Sequence, residues 1–123
     1  MIARWWRLAF GAGLVLAAVG PAAAHSLLLG SIPAAGATLT ASPRRLELRF
    51  NNRIEKSLSR VRLLDARGVA QPLVVTVDGG PADRLTATLP PLAAGGWRIE
   101  WQVLSTDGHV VTGRFEFRLA PTD

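Results

Sequence analysis

Cysteine is absent from this 123-residue chain, so no disulfide can form and the hydrophobic core alone must stabilise the fold. Lysine is almost absent as well, with Lys56 the only one, and the other basic residues are arginines scattered along the chain. Proteins that bind nucleic acid usually carry a clustered basic stripe with stacking aromatic residues, and this sequence has no such stripe. The composition therefore argues against a nucleic-acid partner and favours a solvated basic surface.

A convincing helical period is also lacking, and the sequence shows alternation instead. Charged or polar residues alternate with apolar residues at 45–50, 84–89, 97–103 and 114–119, and shorter apolar stretches lie at 60–64 and 73–77, separated by turn signals. A short turn is expected at 54–59. Because alternation is typical of half-buried strands, the pattern predicts an all-β protein, an antiparallel β-sandwich of about seven or eight strands.

Two groups of residues in the predicted strands have a structural and a functional interpretation. Trp97 and Trp101 belong to an apolar stripe at alternate positions from 97 to 103, and we predict that this stripe is core rather than a platform for stacking a ligand. Glu100 and Glu116 lie on the opposite faces of their strands among arginines. Cross-strand ion pairs explain them better than a glycosidase pair of carboxylates.

The first 24 residues have the features of a cleaved secretory signal peptide. Arg4 and Arg7 form a short basic region, residues 8–19 are apolar, and three alanines end the segment at Ala24. Cleavage there leaves His25 as the first residue of an exported domain, which we predict to span 25–120 with a tail at 121–123. It also lowers the formal charge from +5 to +3, because two arginines are lost. An uncleaved membrane anchor is the alternative, and the small residues at the end of the segment favour removal.

The only two histidines, His25 and His109, are the candidate metal ligands. Asp107 lies two residues before His109, so in an extended segment both side chains point the same way, and Gly108 leaves space beside them. Taken alone, this pair is explained more simply by a turn capped by Asp107 and a surface histidine. An N-terminal His25 favours the metal-site interpretation instead, because its α-amine and ring Nδ1 can chelate one ion and His109 adds a third nitrogen. Nitrogen-rich tetragonal sites suit Cu(II), with Asp107 as a fourth or outer ligand.

Three segments of the predicted mature chain carry a family resemblance. IPAAGATL, LELRFNN and LPPLAAGGWRIEWQVLSTDGHVVTGRFEFRL, together with the histidine expected at the mature N-terminus, resemble the CopC family of periplasmic copper-binding proteins. The resemblance runs from His25 to Leu119 and implies an immunoglobulin-like Greek-key sandwich or barrel that binds one Cu(II) ion per monomer. The implied ligands are His25 (through its amine and ring), Asp107 and His109, an arrangement called a histidine brace. A periplasmic location is implied too, with a membrane copper transporter or another periplasmic copper protein as partner.

This chain departs from the family pattern in two places. Some members have a second, Cu(I)-selective site built from methionines, whereas the only methionine here is Met1, which lies in the predicted signal peptide. No thioether site for Cu(I) is therefore expected. Some members also have a glutamate near the position of Asn51 and Asn52, and either asparagine can act there by hydrogen bonding but supplies no carboxylate.

Three functions fit the sequence. The leading hypothesis is a non-enzymatic Cu(II) carrier or buffer that serves copper resistance or import. The second is a copper-dependent oxidative enzyme of the histidine-brace type, which the small size, the absence of tyrosine and the expected burial of Trp97 and Trp101 disfavour. The third is a metal-free immunoglobulin-like interaction module in which both histidines are incidental. We therefore expect a metal-binding protein rather than an enzyme.

Overall fold

The computed structural model describes residues 27–77 and 79–122, so the predicted signal peptide and His25 lie outside the described residues. The described part of the chain forms nine strands and one short 3-10 turn at Lys56–Leu58. The strands are β1 (Leu28–Ile32), β2 (Thr38–Leu39), β3 (Arg45–Phe50), β4 (Arg60–Leu64), β5 (Ala70–Gln71), β6 (Val74–Thr76), β7 (Arg84–Thr88), β8 (Gly95–Leu104) and β9 (Val110–Leu119). None of its elements is a helix long and apolar enough to cross a membrane.

The strands form two sheets that enclose a common core. One sheet has four strands in the order β1-β3-β7-β6, and the other has five in the order β2-β9-β8-β4-β5. All strand pairs are antiparallel except β2 and β9, which run parallel. The predicted all-β sandwich is confirmed, and the six predicted strands and the turn at 54–59 are present. The structure has nine strands rather than the predicted seven or eight. The total includes β2 and β5, two strands of only two residues each that the pattern did not predict.

The core lies between the sheets and consists of the inward-facing residues of each strand. On β8, the alternate residues from Trp97 to Val103 are at most 9% exposed, which confirms that the stripe is core. Phe50, at the end of β3, packs edge-on against Trp101 with 5.2 Å between the ring centroids. Burial of each large apolar side chain stabilises the fold by about 1.5–3 kcal/mol, so this contact fixes the end of β3 against β8.

Charged residues cover the outer face of the five-stranded sheet. Arg62 and Glu100 are cross-strand neighbours, and Arg62 Nη1 lies 3.4 Å from Glu100 Oε1. Arg98 and Glu116 are likewise neighbours, with 3.4 Å between Arg98 Nε and Glu116 Oε1. The two glutamates are therefore cross-strand partners of arginines, as predicted. Each exposed pair stabilises the fold by at most about 1 kcal/mol.

One end of the sandwich, here called the loop end, brings together the beginning of the described chain and the loop between β8 and β9. Leu28, the first residue of β1, pairs with Phe50, the last residue of β3. An isolated bridge between Ile54 and Ser105 then joins the segment after β3 to the end of β8. The start of β1 in one sheet therefore lies at the same end of the molecule as the β8–β9 loop of the other sheet.

Candidate metal centre

The loop between β8 and β9 is a tight turn formed by residues 105–109. The Ser105 N–H donates to the His109 carbonyl and the Gly108 N–H donates to the Ser105 carbonyl, both at 2.9 Å. Gly108 has a φ of +87°, a left-handed conformation that a residue with a side chain rarely adopts. Ser105 is only 1% exposed, so the loop is anchored in the protein at its first residue while residues 106–109 face solvent.

Within this loop, the Asp107 side chain folds back onto His109. Asp107 Oδ1 accepts a hydrogen bond from the His109 backbone N–H at 3.0 Å, and Asp107 Oδ2 lies 3.0 Å from His109 Nδ1. The carboxylate side chain is 22% exposed and the imidazole is 64% exposed. The structure thus places two of the three predicted site residues side by side. It does so in a turn capped by Asp107 with an exposed His109, as the simpler explanation of this pair expected, and not in an extended segment.

The distance between the Asp107 carboxylate and the His109 ring suits a direct contact and also suits two ligands of one ion. Ligands that lie about 2.0–2.1 Å from a metal, at a right angle to each other, are separated by about 2.9 Å. Two donors do not complete a site, however. Within residues 27–77 and 79–122, no group of three or more histidine, cysteine, aspartate or glutamate side chains is arranged to hold a metal ion. The predicted third residue, His25, lies outside the described residues.

Two hydrogen bonds tie the beginning of the described chain to the loop end. The Leu27 N–H donates to Asn51 Oδ1 at 2.7 Å, and the Asn51 N–H donates to the Leu27 carbonyl at 3.0 Å. Asn51 comes three residues before Ile54, the residue that bridges to Ser105. Asn51 therefore hydrogen-bonds the backbone of Leu27, and the role expected for Asn51 or Asn52 at the metal site stays a prediction.

Trp101 packs behind the loop against a glycine that sequence reasoning did not single out. Gly113 is the cross-strand neighbour of Trp101, and a methyl group built on Gly113 would overlap the indole ring. Gly113 directly precedes the strand predicted at 114–119 and lies inside β9 as the structure has it, and a glycine within a strand often marks a close approach of another group. Its partner depends on the strand register, which the sequence alone does not specify.

Comparison with known proteins gives consistent matches along the chain. The family model of the CopC domain matches residues 28–120. Copper resistance protein C of Pseudomonas syringae pv. tomato is 29% identical over 117 residues, which cover 89% of this chain and 90% of that protein. The solved structure of CopC from Methylosinus trichosporium OB3b is similar with a TM-score of 0.76 and 33% identity, covering 80% of this chain and 97% of that one. PcoC from Escherichia coli, described as a methionine-rich copper resistance protein, is similar with a TM-score of 0.66 and 26% identity, covering 77% and 98%.

Proposed function

Because this chain belongs to the CopC family, we propose that it is a periplasmic copper carrier or buffer that binds one Cu(II) ion. The family resemblance predicted from the sequence is confirmed by the match over residues 28–120. The relative from Pseudomonas syringae is named for copper resistance, which supports copper as the cargo. In this proposal the protein binds and releases the ion and performs no reaction on it.

The proposal is carried by the position of the Asp107–His109 pair at the end of the sandwich where the described chain begins. Leu27 is held at this end by Asn51. His25 precedes Leu27 by two residues, and two extended residues span at most about 7 Å. The covalent chain therefore keeps His25 close to Leu27. We propose that His25 completes the site with its α-amine and ring Nδ1.

The proposed ligands match the chemistry of the oxidised copper ion. Three nitrogens and a carboxylate oxygen suit the tetragonal geometry that Cu(II) prefers. The negative charge of Asp107 offsets part of the charge of the ion and favours the dication over Cu(I). Amine and imidazole ligands must be free of the proton that the metal replaces, so Cu(II) affinity should fall as pH is lowered.

This chain differs from one of its structural relatives in its methionine content. PcoC is described as methionine rich, whereas the only methionine here is Met1. Thioether sulfur is the kind of ligand that selects Cu(I). We therefore propose that this protein handles copper only as Cu(II).

The same proposal includes the processing, location and partner of the chain. Residues 1–24 are proposed to be a signal peptide that is removed, which leaves a monomeric periplasmic domain at 25–120 and a tail at 121–123. Removal matters chemically, because the α-amine of His25 becomes a ligand only when the preceding peptide bond is cut. A membrane copper transporter or another periplasmic copper protein is the proposed partner.

A Cu(II) titration of two matched proteins tests the site. One protein begins at His25 and the other carries one additional alanine ahead of it, which converts the amine into an amide. We expect the first to bind one equivalent of Cu(II) with several nitrogen couplings in its electron paramagnetic resonance spectrum. The extended protein and His109→Ala should each bind at least about tenfold more weakly, because each loses one nitrogen ligand.

Equal affinity in the two matched proteins would rule out the amine as a ligand. Unchanged affinity in His109→Ala would remove the loop from the site. Weak binding that is insensitive to both changes would return the chain to the interpretation of a metal-free interaction module.

A further inference from the structure

A groove on the outer face of the five-stranded sheet lies beside the β8–β9 loop. Its volume is about 470 Å³, and its lining includes outward-facing residues of β4, β8 and β9. These residues are Arg60, Arg62, Glu100, Gln102, Thr112 and Arg114. The strand register places them in two rows, with Arg60, Gln102 and Thr112 nearer the loop and Arg62, Glu100 and Arg114 farther away.

The groove carries positive charge that the described fold does not neutralise. Arg62 pairs with Glu100, the only acidic residue in the lining. Arg60 and Arg114 are exposed and make no ion pair within residues 27–77 and 79–122. Farther along the same face, Arg98 is matched by Glu116. Two unmatched arginines therefore lie in this groove, between the Arg98–Glu116 pair and the candidate metal loop.

An apolar row separates this groove from the loop. Leu104 and Val110 are cross-strand neighbours that directly precede and follow residues 105–109, and Val110 is 58% exposed. Leu58, in the 3-10 turn that contacts β8, is 62% exposed. Exposed apolar side chains next to arginines are typical of surfaces that dock another protein.

We propose that this groove binds an acidic segment of a partner protein. Carboxylates of that segment would pair with Arg60 and Arg114, since arginine presents a planar fork that matches a carboxylate. One or two of its apolar side chains would cover Leu104 and Val110. The proposal rests on the proposed function and deepens it. A partner bound in this groove would lie next to Asp107 and His109, where copper would be exchanged.

The shape and composition of the face favour a protein segment over a lipid surface. A groove accepts a chain segment, whereas a flat bilayer is engaged by protruding residues. Membrane interfaces are typically contacted by tryptophan and tyrosine, and this chain has no tyrosine. Trp97 and Trp101 are both buried.

The test uses the mature protein without copper, labelled with ¹⁵N, and an eight-residue probe peptide of six glutamates and two leucines. We expect chemical-shift changes at Arg60, Gln102, Thr112 and Arg114 that weaken as salt is added. The double variant Arg60→Gln/Arg114→Gln should bind the peptide about tenfold more weakly, because two arginine–carboxylate contacts are lost. The matched control, Arg45→Gln/Arg49→Gln on the outer face of the other sheet, should bind it as the unchanged protein does.

Three outcomes overturn the docking proposal. These are shift changes spread over both sheets, equal loss in the two double variants, or binding to phosphatidylglycerol vesicles without binding to the peptide. Cu(II) titration of Arg60→Gln/Arg114→Gln keeps this proposal separate from the copper site, because neither arginine belongs to that site and affinity for the ion should not change. Failure of the docking test leaves the copper site standing, and failure of the copper titration leaves the docking result intact.

Discussion

At the scale of single residues, the two carboxylate oxygens of Asp107 have different surroundings. Oδ1 accepts the His109 backbone N–H and shapes the turn, while Oδ2 faces the His109 ring. One residue therefore combines a structural contact with a contact to a candidate ligand. A substitution that preserves the first and removes the charge from the second separates the two roles.

Asp107→Asn makes this separation, because the amide oxygen of asparagine can still accept the His109 N–H. We expect the fold to be retained and Cu(II) affinity to fall by about tenfold or more, since the ion loses a negatively charged neighbour. Competition titration with a Cu(II) chelator measures the change. Asp83→Asn is the control, because Asp83 is a carboxylate that pairs with Arg84 at 4.0 Å rather than with His109. An equal loss of affinity in both variants would contradict a specific role for Asp107.

Gly113 provides a second residue-scale prediction, which concerns packing. Gly113→Ala places a methyl group into the Trp101 ring, so we expect a loss of about 1–3 kcal/mol in the free energy of unfolding. Gly96→Ala is the matched control, because a methyl group there meets Arg118 Nη1 at an ordinary 3.8 Å. Urea denaturation of both variants measures the difference. Equal stability of the two would mean that Trp101 moves aside without cost.

At the scale of elements, the strands with an alternating or apolar run were predictable, and β1, β2 and β5 were not. The strict alternation at 45–50 and 97–103 reports burial on one face, and this signal identified β3 and β8. β1 lacks it because the register shifts between Leu28 and Gly30, which breaks the alternation. β2 and β5 have two residues each, too few for a period to show. The parallel pairing of β2 with β9 depends on the whole sandwich and leaves no local signal.

The candidate site was predictable in part for a similar reason. Asp107 and His109 are close in sequence and their side chains do meet, but in a turn capped by Asp107 rather than in the extended segment considered for a metal site. The contacts of Asn51 with Leu27 and of Gly113 with Trp101 join different strands, so they depend on register and required the fold. The contribution of His25 to the site stays a prediction.

The turn between β4 and β5 makes stability depend on pH. The Val69 backbone N–H and, to a lesser extent, that of Arg67 donate to Asp65 Oδ1 and lower the pKa of this carboxyl below 3.8. A folded-state pKa below the unfolded value means that the stabilisation is present above 3.8 and is lost as pH falls through the folded-state value. The unchanged protein should therefore lose this contribution in acid.

Asp65→Asn tests this dependence, because it keeps the acceptor oxygen and removes the charge. Urea midpoints measured at about pH 6 and about pH 2.5 should differ less in the variant than in the unchanged protein. Asp83→Asn again serves as the control. If the unchanged protein and Asp65→Asn lose the same amount of stability between these two pH values, the turn makes no contribution to the acid sensitivity.

At the scale of the whole molecule, the proposed site connects the two sheets. Leu27 leads into β1 of the four-stranded sheet, whereas Asp107 and His109 lie between two strands of the five-stranded sheet. An ion bound by His25 and His109 would link the beginning of the chain to a loop 84 residues later. In a small protein with no disulfide and a single core, such a link takes the place of a covalent cross-link.

Cu(II) should therefore raise the melting temperature of the protein that begins at His25. A ligand that binds only the folded state adds about 2.7 kcal/mol at a free concentration one hundred times its Kd, which corresponds to about 10–20 °C for a domain of this size. Differential scanning calorimetry without Cu(II), and with free Cu(II) held at about one hundred times the Kd, measures the shift. The protein with one additional N-terminal residue and His109→Ala should each show a much smaller shift, because the ion then no longer links both parts of the chain. If both variants showed the same increase in melting temperature as the protein that begins at His25, copper would stabilise the fold from a different site. The proposal that the ion connects the two sheets would then be wrong.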